Sequence, residues 1–263
     1  MIHSLPLVPA GPPCASVTGR PHPSLRGLIA GYSGFFRDGP VAHRVLPLNA
    51  AVIVVDIAGA GRVVSGCAPA FGVLREVVWG YGVSAGLTPA GVSALLGLPM
   101  SALAGSTVPL DAVLGAGDEL LAARLAAAGS WAGRFTILDE WFGARLSPDA
   151  TAGTLVNAAW HVLQRGHPVG DVAADLGVSR RRLERDFRRD VGLTPGTVAR
   201  TTRFQRAVRM LAAGEAPARV AIDAGYADQP HLCREIRARS GLTPAALRAA
   251  LTHSFKTPEP AAP

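Results

Sequence analysis

The sequence lacks any apolar segment long enough to cross a bilayer. Its most apolar run, residues 50–58, is interrupted by Asp56 and is far shorter than the roughly 18 residues that a membrane helix needs. The first 19 residues are rich in proline and lack the basic start and the apolar centre of a signal peptide. The 263-residue chain is 49% hydrophobic and 17% charged, which suffices for buried cores. We therefore expect a cytoplasmic protein of two modest domains.

Cysteine is scarce, and its spacing excludes several kinds of site. Cys14, Cys67 and Cys233 lie far apart and form no CxxC pair, so the sequence predicts neither a disulfide framework nor a zinc site. His22 and His43 occur in no HxH or HExxH spacing. A nucleophile elbow, a phosphate-binding loop and a GxGxxG turn are also missing. We expect no metal, no cofactor and no catalytic residues.

Positive charge is unevenly distributed along the chain. The formal net charge is +7, yet residues 1–150 hold 9 arginines and 9 acidic residues. Residues 151–263 hold 17 lysines and arginines against 10 acidic residues. The excess therefore lies entirely in the C-terminal part, which indicates a polyanion partner for that part alone. Because the basic residues interleave with apolar ones, nucleic acid is favoured over a membrane surface.

The first part of the chain is typical of an α+β domain. Strand-like segments bounded by glycine and proline cover 28–36, 41–48, 51–57, 62–65 and 73–84. Helical segments follow at 89–96, 118–128 and 131–146.

These segments suggest four regions. Six prolines predict a flexible arm over residues 1–24, which is followed by an α+β sensor or dimerisation domain over 25–146. Ser147-Pro148 marks a boundary, and residues 148–252 read as helices broken by short turns. The tail, 253–263, is predicted to be disordered. The expected fold is thus an α+β domain followed by an all-α domain.

An internal repeat organises the helical part. The tetrapeptide Gly-Leu-Thr-Pro occurs at 192–195 and again at 241–244. Threonine caps a helix N-terminus and proline fits the first helical position, so the tetrapeptide predicts a helix start. A third copy at 86–89 shows that these residues alone signal no more than that. The surrounding pattern also repeats, with a turn one residue longer in the second copy; the matched apolar positions are Leu183 and Phe187 in the first and Leu232 and Ile236 in the second.

This spacing predicts two helix-turn-helix units. Two helices that cross through a short turn need a small residue at their contact, a turn residue at positive φ and a capped second helix. The first unit supplies Ala173, Gly177 and Ser179, and the second supplies Ala221, Gly225 and Asp228. Pro230 falls in the first turn of its helix, where proline is tolerated.

The outward face of each second helix carries the side chains expected to meet DNA. In the first unit they are Arg180, Arg181, Glu184, Arg185, Arg188 and Arg189. In the second they are Gln229, His231, Cys233 and Arg234. Residues near the start of such a helix reach base edges, and arginine bound to guanine is the commonest specific contact. Glu184 suits either a cytosine amino group or a neighbouring arginine, and Cys233 suits a thymine methyl group.

Phosphate contacts are expected from a second set of residues. Arg188 and Arg189 lie late in their helix, and a connecting helix over 198–211 carries further surface arginines. The predicted phosphate contacts are Ser179, Arg188, Arg189, Arg203 and Arg206.

The second unit resembles the AraC/XylS family of bacterial transcription regulators. Its signature runs over residues 220–236 and then through Gly-Leu-Thr-Pro at 241–244, and the resemblance covers about 148–251. Ile236 replaces the usual phenylalanine and Leu247 a frequent tyrosine. The resemblance implies seven helices, with two recognition helices entering major-groove segments about one turn (~34 Å) apart. By position, the resemblance also implies which residues read bases: Arg181, Glu184, Arg185, Gln229, Pro230, His231, Cys233 and Arg234.

The resemblance also implies what the whole chain does. Residues 75–97 are the stretch most similar to the sensor domain of an AraC-like subgroup. The implied function is an effector-responsive activator that binds promoter or operator DNA and contacts RNA polymerase, with a small-molecule effector at the N-terminal domain and a homodimer as further possibilities. The alternative is an enzyme whose N-terminal domain is directed to DNA by the helical part, which requires a reactive cysteine. A third hypothesis is non-specific architectural binding.

Overall fold

The computed structural model describes residues 4–6, 15–57, 61–115, 117–146 and 154–254. The part up to residue 146 is here called the sheet domain, and 154–254 the helical domain. The expected boundary at Ser147-Pro148, Cys14, and the tail after residue 254 lie outside the described residues.

Seven antiparallel strands form the sheet of the described N-terminal part. They are β1 (Ser4–Pro6), β2 (Ala15–Gly19), β3 (Ile29–Val45), β4 (Ala51–Asp56), β5 (Arg62–Ser65), β6 (Gly72–Leu87) and β7 (Thr107–Pro109). The strand order is β1-β3-β6-β4-β5-β7, and β2 also pairs with β3. β4 is buried along its whole length because both faces of the sheet are covered. Ile53 and Val55 join the core beneath the helices, whereas Val52 and Val54 pack with Trp79 on the opposite face.

Two sequence expectations for the sheet differ from the structure. Segments 28–36 and 41–48 form one strand, β3, because a register shift between the pairs Phe36/Tyr81 and Val41/Trp79 lets the chain continue along β6. The predicted flexible arm contains β1 and β2, which pair with opposite ends of β3. Proline content alone was misleading there, because Leu5 and Ala15 are buried and edge strands tolerate proline nearby.

Four helices accompany the sheet. They are α1 (Pro89–Leu96), α2 (Asp111–Leu114), α3 (Gly117–Ala127) and α4 (Trp131–Gly143). α4 is tied to the sheet by Tyr32, whose ring stacks on Phe135 at 5.7 Å between centroids and whose hydroxyl donates to Asp139 at 2.9 Å. α1, α3 and α4 lie close to their predicted positions, with α4 ending three residues early, whereas the short helix α2 was not predicted.

The helical domain consists of seven helices. They are α5 (Thr154–Gln164), α6 (Val169–Asp175), α7 (Arg180–Asp190), α8 (Pro195–Ala212), α9 (Pro217–Ala224), α10 (Gln229–Ser240) and α11 (Pro244–Ser254). Each Gly-Leu-Thr-Pro copy starts a helix as predicted: the hydroxyls of Thr88, Thr194 and Thr243 accept from backbone amides three residues on. The fold class expected from the sequence, α+β followed by all-α, is confirmed.

The hydrophobic core does not stop at the domain boundary. The largest buried cluster joins Met100 and Leu103 of the sheet domain with Val191 and Leu193 of the helical domain. A second cluster places Leu5 and Leu46 among the helices α8 to α11. The two domains therefore share buried apolar surface in two places.

Candidate DNA-binding site

The first helix-turn-helix unit consists of α6, a short turn and α7. Ala173, 3% exposed, lies at the contact between the helices, and its carbonyl accepts from Val178 N at 3.0 Å. Gly177 has φ +63°, the left-handed conformation that glycine adopts without strain. The Ser179 hydroxyl accepts from Arg182 N at 3.2 Å and caps α7. Leu183 and Phe187 are fully buried, as their spacing predicts.

The second unit repeats this arrangement with α9 and α10. Gly225 has φ +83°, and Asp228 caps α10 by accepting from His231 N at 2.6 Å. Ile236 and Leu247, the two residues that depart from the usual family pattern, are both fully buried. The smaller apolar side chains are therefore accommodated in the core of the unit.

The outward face of α7 is exposed and rich in arginine. Arg180, Arg181, Glu184 and Arg185 are all exposed. Glu184 lies 3.4 Å from Arg188, so in the structure it pairs with a neighbouring arginine.

The outward face of α10 is smaller and less charged. Gln229, Pro230 and Arg234 are exposed, whereas His231 and Cys233 are half-buried. His231 packs edge-on against Tyr226, with 5.3 Å between ring centroids. The first turn of α10 thus presents a short polar edge beside an imidazole that is held by an aromatic ring.

One family model matches this region. Residues 156–250 match the model described as a helix-turn-helix domain. The matched range begins in α5 and ends in α11, so it includes both units and the helix between them. Residues 156–250 are an AraC-type helix-turn-helix domain. Helix-turn-helix domains place their second helix in the major groove of DNA, so the match supports DNA binding by residues 156–250.

Solved structures are also similar to the chain. A transcriptional regulator with an AraC-type DNA-binding domain from Chromobacterium violaceum is 25% identical over 39% of this chain and 96% of its own, with a TM-score of 0.37. The C-terminal domain of AraT, a response regulator from Geobacillus stearothermophilus, is 20% identical over 41% and 94%, with a TM-score of 0.36. The apo form of a lysine-to-alanine variant of ToxT from Vibrio cholerae is 11% identical over 90% of this chain and 97% of its own, with a TM-score of 0.46. No curated protein matches the sequence.

A buried carboxylate organises the arginines of the AraC-type domain. Asp186 is only 6% exposed, although it lies in the middle of α7. Its oxygens lie 3.7 Å from Arg182 Nε, 3.3 Å from Arg185 Nε and 3.5 Å from Arg189 Nη1. Asp186 does not stand out in the sequence because acidic residues are rarely buried, and only its position between the core residues Leu183 and Phe187 indicates it.

The predicted phosphate contacts are not equivalent. Arg188 and Arg206 are exposed. Arg189 is exposed too, but it forms two hydrogen bonds with Asp190 at 2.7 and 3.0 Å, which raise the pKa of the guanidinium. Arg203 is half-buried, donates to Gly225 O at 3.3 Å and lies over the Tyr226 ring at 5.0 Å. Arg203 therefore supports the turn of the second unit.

A cavity lies where the AraC-type domain meets the sheet. Its volume is about 650 Å³, and α5 contributes Trp160, His161 and Gln164 to its wall. Ile29, Tyr32 and Ser84 line it from the sheet side. Burial, with help from the charge of Arg165, lowers the pKa of His161. No local pattern in the sequence indicates this cavity, because its two walls come from residues 18–88 and 160–164.

Clusters of three or more potential metal ligands are missing from the described part. Cys67 is fully buried, and burial raises the pKa of its thiol to about 12. None of the described helices is both long and apolar enough to cross a membrane.

Proposed function

We propose that this protein is a sequence-specific transcription regulator that reads bases with α7 and α10. The observation that carries the proposal is the pair of capped helices, each of which leaves a polar face exposed in an AraC-type domain. The base-reading residues are Arg180, Arg181, Glu184 and Arg185 in α7 and Gln229, Pro230, His231, Cys233 and Arg234 in α10. Ser179, Arg188 and Arg206 supply phosphate contacts, with lesser contributions from Arg189 and Arg203.

A binding titration on the promoter region of its own gene tests this proposal. We expect a nanomolar Kd that weakens steeply with salt, because arginines displace counterions from the phosphates. A random duplex of equal length should bind at least about a thousandfold more weakly. Equal affinity for promoter and random DNA would contradict sequence-specific function.

The variant Arg181→Ala separates base reading from architectural binding. Loss of a bidentate base contact should weaken binding to the best site by about 5–150-fold while barely changing binding to random DNA. Arg248→Ala is the matched control, because Arg248 is exposed on α11, outside both units. A uniform loss across all sequences would favour the architectural hypothesis.

An effector site is the second part of the proposal. The cavity beside α5 falls within the range of small-molecule sites, roughly 300–1,000 Å³, and its walls come from both domains. A bound molecule would therefore contact the sheet and the DNA-binding domain together. The aromatic anion anilinonaphthalene sulfonate is a suitable probe, since Trp160 and Ile29 offer apolar surface and Arg20 and Arg26 offer charge.

The probe should fluoresce on binding the full chain. Ser84→Phe fills the cavity and should reduce the bound fraction several-fold, whereas Ser16→Phe on β2, which is not among the lining residues, should not. Equal probe binding by both variants would contradict an effector site at this position.

We propose that the protein activates transcription and that RNA polymerase is its protein partner. We also propose a cytoplasmic location. The support is the family resemblance. A promoter–reporter assay in cells with and without the gene decides between activation and repression, and a lower signal without the gene is expected. The enzymatic alternative lacks support at Cys67, since its thiol is buried and stays protonated.

A further inference from the structure

The sheet domain holds the C-terminal end of the first recognition helix. The Ser101 hydroxyl donates to the Arg189 carbonyl at 2.5 Å, and the Cys67 thiol donates to the Val191 carbonyl at 3.1 Å. The last carbonyls of a helix have no partner within the helix. Here two of the carbonyls at the end of α7 are bonded by side chains of the other domain.

The sheet domain holds the second recognition helix at the corresponding place. Arg44 Nη1 donates to the Ser240 carbonyl at 2.8 Å, and Arg44 also lies over the Phe71 ring at 4.8 Å. From the helix side, Arg239 Nη1 donates to the Pro69 carbonyl at 2.9 Å, and Arg239 is only 9% exposed. Two arginines, one from each domain, therefore cross this junction in opposite directions.

The glycine that ends each recognition helix explains how the sheet domain comes so close. Gly192 and Gly241 are equivalent positions of the repeat, with φ +82° and +70°. A Cβ atom on Gly192 would lie 2.6 Å from Ala104 Cβ, and one on Gly241 would lie 2.7 Å from Arg44 Nη1. Both turns are therefore in close contact with the sheet domain, which contacts the equivalent glycine of each unit.

The connecting helix α8 is held by the same side of the sheet domain. Asn49 Nδ2 donates to the Val198 carbonyl at 2.9 Å, and Gln205 Nε2 donates to the Pro47 carbonyl at 2.8 Å. Both bonds are buried, and Asn49 is 2% exposed. A change in the angle between the two units would break these bonds as well as those at the helix ends.

We propose that the sheet domain sets the relative placement of the two recognition helices and thereby the spacing of the DNA sequence that the protein accepts. Arg44 and Ser101 are positioning residues: each acts on base reading through the helix that it holds. This inference rests on the proposed function, because spacing has a meaning only if both helices read bases. One inserted base pair moves the second half-site by about 3.4 Å and turns it by about 35°, so a fixed pair of helices must reject it.

The test measures tolerance to spacing with the full chain. A preferred duplex is first obtained by repeated rounds of binding from a random-sequence library. The Kd is then measured for that duplex, for a version with one base pair inserted between the half-sites, and for duplexes that hold a single half-site. The variants are Arg44→Ala, Ser101→Ala and the pair together. Arg124→Ala is the matched control, because Arg124 pairs with Glu140 within the sheet domain.

The expected result is a change in the spacing ratio, the Kd of the inserted duplex divided by that of the preferred one. The wild-type chain and Arg124→Ala should show a ratio of about ten or more, and Arg44→Ala should lower it at least about threefold. The double variant should lower it further. The variants should bind single half-site duplexes with unchanged Kd. A loss of folding or of base contacts would instead raise that Kd.

Two outcomes would overturn the inference while leaving the proposed function in place. One is an unchanged spacing ratio in Arg44→Ala and in the double variant. The other is tighter binding of the preferred duplex by these variants, which would mean that the sheet domain holds the helices away from the DNA-binding arrangement. If the wild-type chain enriches no sequence from the library, the proposed function itself fails.

Discussion

Two cysteines illustrate how differently single residues are exposed in this protein. Cys233 is half-buried on α10 among the proposed base-reading residues, whereas Cys67 is fully buried and its thiol pKa is raised to about 12 by burial. Because the thiolate is the reactive form, Cys67 should resist alkylation in the folded protein.

Alkylation with a maleimide, followed by peptide mass spectrometry, tests both sites. We expect modification of Cys233 but not of Cys67, and protection of Cys233 by the preferred duplex. Random DNA at the same concentration serves as the control. Labelling of Cys67 under native conditions, or labelling of Cys233 at the same rate with the preferred duplex bound, would contradict this picture.

His161 makes a pH-dependent contribution at the residue scale. Burial and the nearby charge of Arg165 lower its pKa below the ordinary histidine value of about 6.5. The unfolded chain therefore binds a proton at higher pH than the folded one. The free energy of unfolding should fall as the pH drops through about 6.5 towards the lower folded pKa.

Urea unfolding at pH 7.5 and pH 5.5 measures that loss. His161→Gln should reduce the difference between the two pH values, since glutamine carries no proton to gain. His167→Gln, at an exposed position in the following turn, is the matched control and should leave the difference unchanged. The same loss in all three proteins would show that His161 is not the group responsible.

At the scale of elements, the turn of the first unit depends on the backbone conformation of one residue. Gly177 has φ +63°, and nothing lies within 4 Å of the Cβ that another residue would carry. Gly177→Ala should therefore destabilise the protein by about 1–2 kcal/mol through the left-handed conformation alone. Gly143 in α4 is also surrounded by open space but has no positive φ.

Gly143→Ala is thus the matched control, and it should be neutral or stabilise the protein by up to about 1 kcal/mol. Chemical denaturation followed by circular dichroism gives both values. If the two variants unfold at the same urea concentration, the strain argument for the turn is wrong.

The helical elements were largely predictable because their signals are local. Ser179 and Asp228 cap their helices as expected, and the repeat located both turns to the residue. A cap, a glycine and an apolar spacing each act within a few residues, so the sequence displays them directly. The joined strand β3 was missed because a register shift depends on the partner strand rather than on the strand itself.

The whole molecule has features that no local pattern displays. Arg44 binds the Ser240 carbonyl across 196 positions, and Cys67 binds that of Val191 across 124. Such bonds depend on how two domains pack, and nothing in either segment marks the partner. The positions of α7 and α10 were predictable from local signals, whereas the cavity beside α5 and the support at the helix ends were not.

The shared core predicts that the two domains unfold together. Met100 and Leu103 are buried with Val191 and Leu193, so separating the domains would expose apolar surface of both. Far-UV circular dichroism, dominated by the helices, and hydrogen exchange of β4 should report the same midpoint in urea. The substitution Leu103→Ala should reduce the free energy of unfolding by about 2–5 kcal/mol and lower both midpoints equally. Two separate transitions would contradict a shared core.

The carboxylates of α7 also affect how binding responds to ions. Where Glu184 neutralises Arg188 before DNA arrives, a phosphate has to take the place of that carboxylate. The displaced carboxylate then attracts a cation from solution, which offsets a cation released from the DNA. Affinity should therefore fall less steeply with salt than the number of arginines suggests, and Glu184→Gln should make the logarithmic slope steeper by about one. In this way Glu184 acts as a counterion that is built into the recognition helix.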